Sequence, residues 1–154
     1  MRWLWSNLDI NRSFALEEVW NMTDKIEIQT LPITEKFVGQ KRLIQDRGEL
    51  ALIEDGKPFQ HLGYFSLKKG KGYYRGGHYH RSKVEHFYVV RGKIRVRLVD
   101  LDSKIKSTVT LEEGQLATIY PNCAHRFEAV EEAQVIEYYN SMYDPEDDVP
   151  YDGF

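Results

Sequence analysis

The chain has 154 residues, of which 42% are hydrophobic and 29% are charged, and its formal net charge is −3. This composition is typical of a single soluble domain, and the absence of a basic excess argues against a nucleic-acid partner. No apolar run reaches the roughly 20 residues that span a membrane. The single cysteine, Cys123, excludes an internal disulfide, which favours a cytoplasmic location.

The first 21 residues differ from the rest of the chain. Residues 13–20 predict a short amphipathic helix, with Ser13 at its N-cap and Glu17 in its first turn. All three tryptophans fall in this segment: Trp3, Trp5 and Trp20. We therefore predict an N-terminal helical arm over residues 1–21 that docks on the remaining domain or on a partner subunit. The domain itself is expected to span residues 22–154.

From residue 22 onward, short alternating runs predict an all-β domain. Turn signals separate these runs at residues 55–58, 69–72, 91–93, 100–103 and 112–114. Residues 93–99 alternate most cleanly. Ile94, Val96 and Leu98 are expected to face the core, while a basic stripe of Lys93, Arg95 and Arg97 faces solvent or a phosphate. The regular spacing predicts a jelly-roll sandwich or barrel, and the acidic residues 143–152 predict a C-terminal wrap.

The run at residues 85–90 is largely apolar on both faces. Phe87 and Val89 share a face with Glu85, whereas Tyr88 and Val90 lie on the opposite face together with His86. If Glu85 points into the domain, the opposite face needs a cover. We therefore predict a homodimer formed through this face, with the N-terminal tryptophans adding cover.

Four potential metal ligands occur in one compact pattern, Gly72-x5-His78-x-His80-x4-Glu85-x6-Gly92 followed by Gly114-x6-Pro121-x3-His125. On a strand, side chains alternate between faces, so His78 and His80 point the same way. Imidazole and carboxylate together suit one divalent transition metal: zinc, nickel, manganese or iron. The alternative is a pair of histidines satisfied by hydrogen bonds, with Glu85 as a solvated edge carboxylate.

These two motifs resemble those of the cupin superfamily, small β-barrels with a metal in the barrel mouth. The first motif matches at every defining position. The second has one extra residue between Gly114 and Pro121, and Cys123 stands where a glycine is usual. The resemblance covers residues 60–142 and implies a single-domain cupin jelly-roll β-barrel with a metal on His78, His80, Glu85 and His125. A buried filler is the favoured interpretation of Cys123, ahead of a ligand or a nucleophile.

A narrower resemblance runs from about residue 47 to the C-terminus. Arg75-Gly76-x-His78-x-His80 is similar to the motif of the WxcM-like sugar-nucleotide 3,4-ketoisomerases, in which the two histidines move protons on the sugar. Those enzymes usually have glutamine at the position of Glu85, lack His125 and work without metal. Residues 75–92 also resemble the zinc cupin domain of capsular sugar-nucleotide epimerases. The shared chemistry implied is enolisation beside a keto group.

Whether His78 and His80 are bases or ligands follows from the chemistry of imidazole. A metal-bound histidine has no free lone pair on its ligating nitrogen, so ligation excludes a role as base through that atom. The metal would then act as a Lewis acid on the ketone or enediolate oxygen, and a separate group would move the proton. We predict Tyr74 for that group because it shares the parity of the histidines. Arg75 is predicted to pair with a diphosphate or to form a rim ion pair.

Three functions remain open at this point. The first, which both resemblances favour, is a metal-dependent isomerase or epimerase acting on a keto-sugar, with a nucleotide sugar as the small-molecule partner. The second is an iron-dependent small-molecule dioxygenase, which would use the same ligands. The third is a non-catalytic cupin that binds a carbohydrate or another ligand. The fold does not choose between them, since this barrel hosts many functions.

Overall fold

The computed structural model describes residues 23–154, so the helical arm predicted over residues 1–21 lies outside the described residues. The described chain is nearly all β-sheet, with a single 3₁₀ turn at Pro145–Asp147. Its strands are β1 (Ile26–Thr30), β2 (Lys41–Gln45), β3 (Gly48–Leu52), β4 (His61–Leu67), β5 (Arg75–Tyr79), β6 (Glu85–Asp100), β7 (Lys106–Glu112), β8 (Gln115–Ile119), β9 (Cys123–Tyr139) and β10 (Val149–Pro150). Within residues 23–154, no helix has the length and apolar character needed to cross a membrane.

Two long strands organise the fold. β6 and β9 have 16 and 17 residues and pair antiparallel along most of their length. The first part of β6 also pairs with β8 and its second part with β7, while β9 pairs first with β5 and then with β4. Each long strand therefore contributes to both halves of the jelly roll. The all-β prediction is confirmed.

Gly92 marks an irregularity in β6 where the sequence predicted a turn. The prediction of a turn at residues 91–93 is wrong, because β6 continues through these residues while its register against β9 shifts. Gly92 has φ +83°, and a Cβ here would lie 2.0 Å from the carbonyl oxygen of Glu132. Only glycine fits this close approach, so the same residue that indicates a turn serves here as a bulge.

The interior of the barrel follows the alternation of β6. Ile94, Val96 and Leu98 are 0%, 0% and 1% exposed, which confirms their prediction as core residues. Phe87, Phe127, Leu111 and other apolar side chains complete this cluster, and it includes the buried Cys123. The interpretation of Cys123 as a core filler is therefore confirmed.

A second, smaller cluster covers the outer face of residues 86–90. Tyr88 is 2% exposed and packs with Leu31, Leu116 and Tyr138 of its own chain. Val90 remains 36% exposed. Part of the apolar face on which the homodimer was predicted is thus covered by the chain itself. The homodimer stays a prediction, and it rests on a smaller exposed apolar surface.

The acidic tail forms an ordered wrap along β5. Asp144 caps the 3₁₀ turn by accepting a hydrogen bond from the Glu146 amide, and β10 then pairs with β5. The Tyr151 amide donates to the Gly77 carbonyl 2.8 Å away. The tail therefore runs beside the strand that carries His78.

Candidate metal centre and active site

The structure brings all four predicted ligands together. His78 lies on β5 opposite His125 on β9, so the two side chains share a face, and Glu85 opens β6. One ligand atom from each of His78, His80, Glu85 and His125 lies within 4.8 Å of the others. His80, Glu85 and His125 are 3%, 5% and 1% exposed. The residues that the sequence placed on three separate segments form one buried cluster that could hold a metal.

Each histidine is oriented by an acceptor behind it. Nδ1 of His80 lies 2.5 Å from the Asp147 carbonyl oxygen, and Nδ1 of His125 lies 3.1 Å from the Cys123 carbonyl oxygen. Nδ1 of His78 lies 2.5 Å from Oδ1 of Asp148. Because a carbonyl oxygen only accepts, the first two Nδ1 atoms carry the proton and Nε2 keeps its lone pair. Such outer acceptors are a general feature of metal-ligating histidines.

The atoms left facing one another lack hydrogen-bond partners. Nε2 of His80, Nε2 of His125 and Oε2 of Glu85 are buried and unpartnered among residues 23–154. Both nitrogens lie 3.2 Å from Oε2. Buried polar atoms without partners are costly and uncommon in native proteins. One divalent cation would satisfy all three at once, so the donor set fits a metal.

The charges of the cluster also suit a cation. Burial, together with the neighbouring His125, lowers the pKa of His78 to about 4, so this ring is neutral at pH 7. Burial alone would raise the pKa of Glu85, but contact with His125 and His80 holds it well below its usual value. Burial likewise opposes protonation of His80, yet the Glu85 carboxylate raises its pKa. A proton on His80 and a metal ion therefore compete for the same carboxylate.

The C-terminal tail contributes a clamp that sequence reasoning missed. The Asp147 carboxylate accepts from the Arg81 amide at 2.7 Å, the Ser82 hydroxyl at 3.0 Å and the Lys83 amide at 3.2 Å. Although burial opposes it, these hydrogen bonds hold the pKa of Asp147 below its usual value. The clamp fixes the loop that joins His80 to β6. The available signal was the turn motif at residues 144–147, which does not show where the tail docks.

Lys83 is a second functional candidate that the sequence interpretation missed. It is 7% exposed, and its Nζ lies 3.8 Å from Oε1 of Glu85 and 4.3 Å from the centre of the Tyr139 ring. A buried ammonium needs such partners. Its even spacing from Glu85 was the available signal, since residues two apart on an extended chain share a face.

A cleft of about 530 Å³ adjoins the cluster. This volume is in the usual range for small-molecule sites. The metal-type residues His78, His80 and Glu85 form part of its wall. The remaining lining includes His61, Tyr64, Phe65, Arg75, Lys83, Glu137, Tyr139 and Tyr143. The cleft therefore combines a metal-type cluster with cationic, acidic and aromatic side chains.

His61 and Glu137 form a titratable pair in this cleft. Nε2 of His61 lies 3.6 Å from Oε1 of Glu137, and the His61 ring stacks on Tyr139 at 4.1 Å. Burial, with a further contribution from the charge of Glu85, raises the pKa of Glu137. Gly63 leaves room for this carboxylate, since a Cβ at Gly63 would lie 2.8 Å from Oε1 of Glu137. Sequence reasoning missed both residues, because their approach depends on the pairing of β4 with β9.

Tyr74 does not share the inward direction of the histidines. The register of β5 shifts between Gly76 and His78, and Gly76 and Gly77 have φ +74° and +84°. The parity argument that selected Tyr74 therefore fails, because an extra residue separates it from His78. The Tyr74 ring still borders the cleft and lies 5.2 Å from the guanidinium of Arg126. Its catalytic role stays a prediction without that support.

Arg75 takes the inward position instead. It pairs with the core residue Phe127 on β9, and its guanidinium lies 5.6 Å from the centre of the Phe65 ring. Its Nε donates to the Ser66 carbonyl at 3.3 Å. In the described part of the chain Arg75 makes no ion pair, so the rim ion pair weighed from the sequence is not formed there. The remaining guanidinium donors are open to an anionic ligand.

Comparison with protein families places the chain in one of them. Residues 45–151 match the family described as the polysaccharide biosynthesis C-terminal domain. The chain belongs to that family. A search of curated proteins by sequence finds no match.

Solved structures confirm the cupin fold. The WlaRB TDP-quinovose 3,4-ketoisomerase from Campylobacter jejuni matches with a TM-score of 0.63 and 17% identity, over 82% of this chain and 93% of that chain. A mutant of the 3,4-ketoisomerase QdtA from Thermoanaerobacterium thermosaccharolyticum, in complex with TDP-4-keto-6-deoxyglucose, matches at 0.62 and 15%, over 82% and 87%. The dTDP-4-dehydrorhamnose 3,5-epimerase from Sulfolobus tokodaii matches at 0.61 and 20%, over 82% and 77%.

Proposed function

We propose that this protein is a metal-dependent isomerase or epimerase that moves a proton beside the carbonyl of a nucleotide-linked keto-sugar. The observation that carries the proposal is the set of buried, unpartnered atoms of His80, Glu85 and His125 beside a cleft with a titratable pair. Structural neighbours that are named as ketoisomerases and an epimerase of TDP-linked sugars support the substrate class.

The metal ligands in this proposal are His78, His80, Glu85 and His125. A divalent ion held by these residues would supply Lewis-acid stabilisation of negative charge on the substrate carbonyl oxygen. Lys83 adds a buried positive charge to the same wall of the cleft. Both features would stabilise the negative charge that develops when a proton leaves the adjacent carbon. This stabilisation lowers the barrier to enolisation.

Glu137 is the group we assign to proton transfer. Its carboxylate would take the proton from the carbon beside the carbonyl, and the C–H electron pair would pass to the carbonyl oxygen as the enolate forms. For an isomerase, the neutral Glu137 acid would then return the proton to the former carbonyl carbon, while the hydroxyl proton on the adjacent carbon passes to the former carbonyl oxygen. For an epimerase, a second acid on the opposite face of the sugar would have to return the proton. A raised pKa suits both directions, because acid–base catalysis is most efficient when the pKa lies near the working pH. His61, at 3.6 Å, positions the carboxyl.

Arg75 is the residue we assign to the anionic part of the substrate. It lies on the same cleft wall as His78 and retains guanidinium donors that no described residue occupies as an ion pair. A planar guanidinium recognises phosphate oxygens through two parallel hydrogen bonds. A nucleotide diphosphate is the ligand group that fits this position.

The proposal is tested by deuterium exchange. Metal-loaded protein is incubated in heavy water with TDP-4-keto-6-deoxyglucose and related keto-sugar nucleotides, and deuterium at the carbon beside the carbonyl is followed by NMR and mass spectrometry. Glu137→Gln should reduce exchange by about 10²–10⁴-fold, the usual contribution of a general base. Gln134→Glu, a change on the same strand outside the cleft lining, is the control and should retain exchange. Absence of exchange with the whole panel, together with oxygen consumption by the iron-loaded protein, would favour the dioxygenase instead.

A further inference from the structure

A second cleft of about 570 Å³ lies on the outer face of the sheet, apart from the metal ligands. Its walls come from the loop before β5 and from outward-facing positions of β6 and β9. Four cationic side chains line it: Lys69, Lys71, Arg95 and Arg126. None of these four side chains borders the first cleft. The two cavities therefore have separate sets of charged groups.

The second cleft carries an excess of positive charge. Glu128 is its acidic residue, and its carboxylate is shared by Arg97 at 2.9 Å, Arg126 at 3.0 Å and Arg95 at 3.9 Å. One carboxylate neutralises only one of these guanidinium groups. Lys69 and Lys71 make no ion pair within residues 23–154. An ordinary solvated sheet face, on which each cation is paired with an anion, would not concentrate an excess of positive charge in one cleft.

Arg126 is positioned at this cleft by two aromatic side chains. Its guanidinium lies 5.2 Å from the centre of the Tyr74 ring and 5.0 Å from that of Phe154, so the group lies close to two aromatic side chains. Its Nε is buried without a hydrogen-bond partner in the described chain, so an anion in the cleft would bind the terminal nitrogens, of which Nη2 also contacts Glu128. Contact with two rings restricts the guanidinium in advance, which lowers the entropy lost when an anion binds.

We propose that this outer cleft is a second ligand site that binds a doubly charged phosphate group. Arg126 and Arg95 would donate from the sheet, and Lys69 and Lys71 would approach from the loop. Gly72, at φ +80°, allows the turn that brings this loop over the sheet. Guanidinium and ammonium groups converging on one concavity match the several oxygens of phosphate. The site does not depend on the metal or on the activity proposed above.

The test is calorimetric titration of the full chain with inorganic phosphate, pyrophosphate and thymidine diphosphate. We expect Arg126→Gln to weaken pyrophosphate binding about tenfold or more, as for loss of a charged hydrogen bond. Lys69 and Lys71 lie in an exposed loop, so the double variant Lys69→Gln/Lys71→Gln should weaken pyrophosphate binding without affecting folding. Its matched control is Lys25→Gln/Lys93→Gln, which removes the same charge from lysines paired with Asp102 and Glu112.

The outcomes separate the site from general electrostatics and from the first cleft. Stronger effects in the cleft variants than in the control support the proposal. Equal effects in both double variants, or no binding of any probe, would overturn it. Binding of thymidine diphosphate alone that is lost in Arg75→Gln and retained in Arg126→Gln would also overturn it, because the anion would then belong to the metal-site cleft.

Discussion

The side-chain carboxylate of Asp148 orients the proposed metal ligand His78. Because the contact is made by a side chain, a substitution can remove it. Oδ1 of Asp148 lies 2.5 Å from Nδ1 of His78. The corresponding acceptors for His80 and His125 are backbone carbonyls, which a substitution does not remove. Asp148→Ala therefore removes one outer support and leaves all four ligands in place. We predict weaker metal binding without loss of the fold.

The expected loss follows from the position of the pair. Removing an outer partner of a metal ligand typically costs about 10–100-fold in affinity. The side chains of His78 and Asp148 retain 25% and 28% exposure, so water replaces part of the lost hydrogen bond. We therefore expect a loss of about tenfold, which corresponds to about 1.4 kcal/mol. Asp148→Asn keeps a hydrogen-bond acceptor without the charge, so its metal affinity should lie between those of the unchanged protein and of Asp148→Ala.

The measurement is competition for Zn²⁺ between the metal-free protein and a chromophoric chelator at pH 7. Asp152→Ala is the matched control, because Asp152 is an exposed residue of the same tail and the same charge is lost. Circular dichroism checks that both variants remain folded. Equal zinc affinities for Asp148→Ala and Asp152→Ala would refute the assignment of Asp148 as the support of His78.

Three further predictions concern the site and the assembly. Glu85→Gln should lose bound metal and turnover together, measured by elemental analysis and by deuterium exchange. Metal retained by this variant would contradict ligation as the role of Glu85, and activity that survives metal removal would contradict the Lewis-acid role of the metal. Burial raises the pKa of Cys123 to about 12, and the residue is 1% exposed, so a thiol reagent should label it only after unfolding. Rapid labelling of the folded protein would contradict this burial. Light scattering should show a homodimer whose dissociation is promoted by deleting residues 1–21, and a monomer at micromolar concentration would argue against the predicted docking role of the arm.

Half of the metal-type cluster could be predicted from the sequence alone because its geometry is local. His78 and His80 are two residues apart, so period-two alternation alone places them on one face. The two motifs then supplied Glu85 and His125 through their resemblance to cupins. The core positions of β6 followed from the same alternation. Where a run of residues alternates without interruption, the sequence and the structure agree.

The predictions that failed involve bulges, and those that were missed involve pairing between distant strands. Gly76 and Gly77 reverse the parity that had selected Tyr74, and Gly92 carries β6 past a predicted turn. A glycine at positive φ suits both a turn and a bulge, so the local pattern does not distinguish them. Glu137 reaches the cleft through a strand pair whose members are more than 70 residues apart, at Gly63 and Glu137. No local pattern encodes that approach.

The pair of His78 and Asp148 also decides between ligation and direct base catalysis. Nε2 of His80 is buried beside Glu85, so a substrate carbon does not reach it, and His78 is the histidine of this pair to which a base role is open. A pKa of about 4 makes His78 a weak base at neutral pH, which favours ligation. If His78 is a ligand, Asp148→Ala should lower turnover at limiting metal, and excess metal should restore it. If His78 is the base, the same variant should lower turnover at every metal concentration, and a kinetic titration with Zn²⁺ separates the two outcomes.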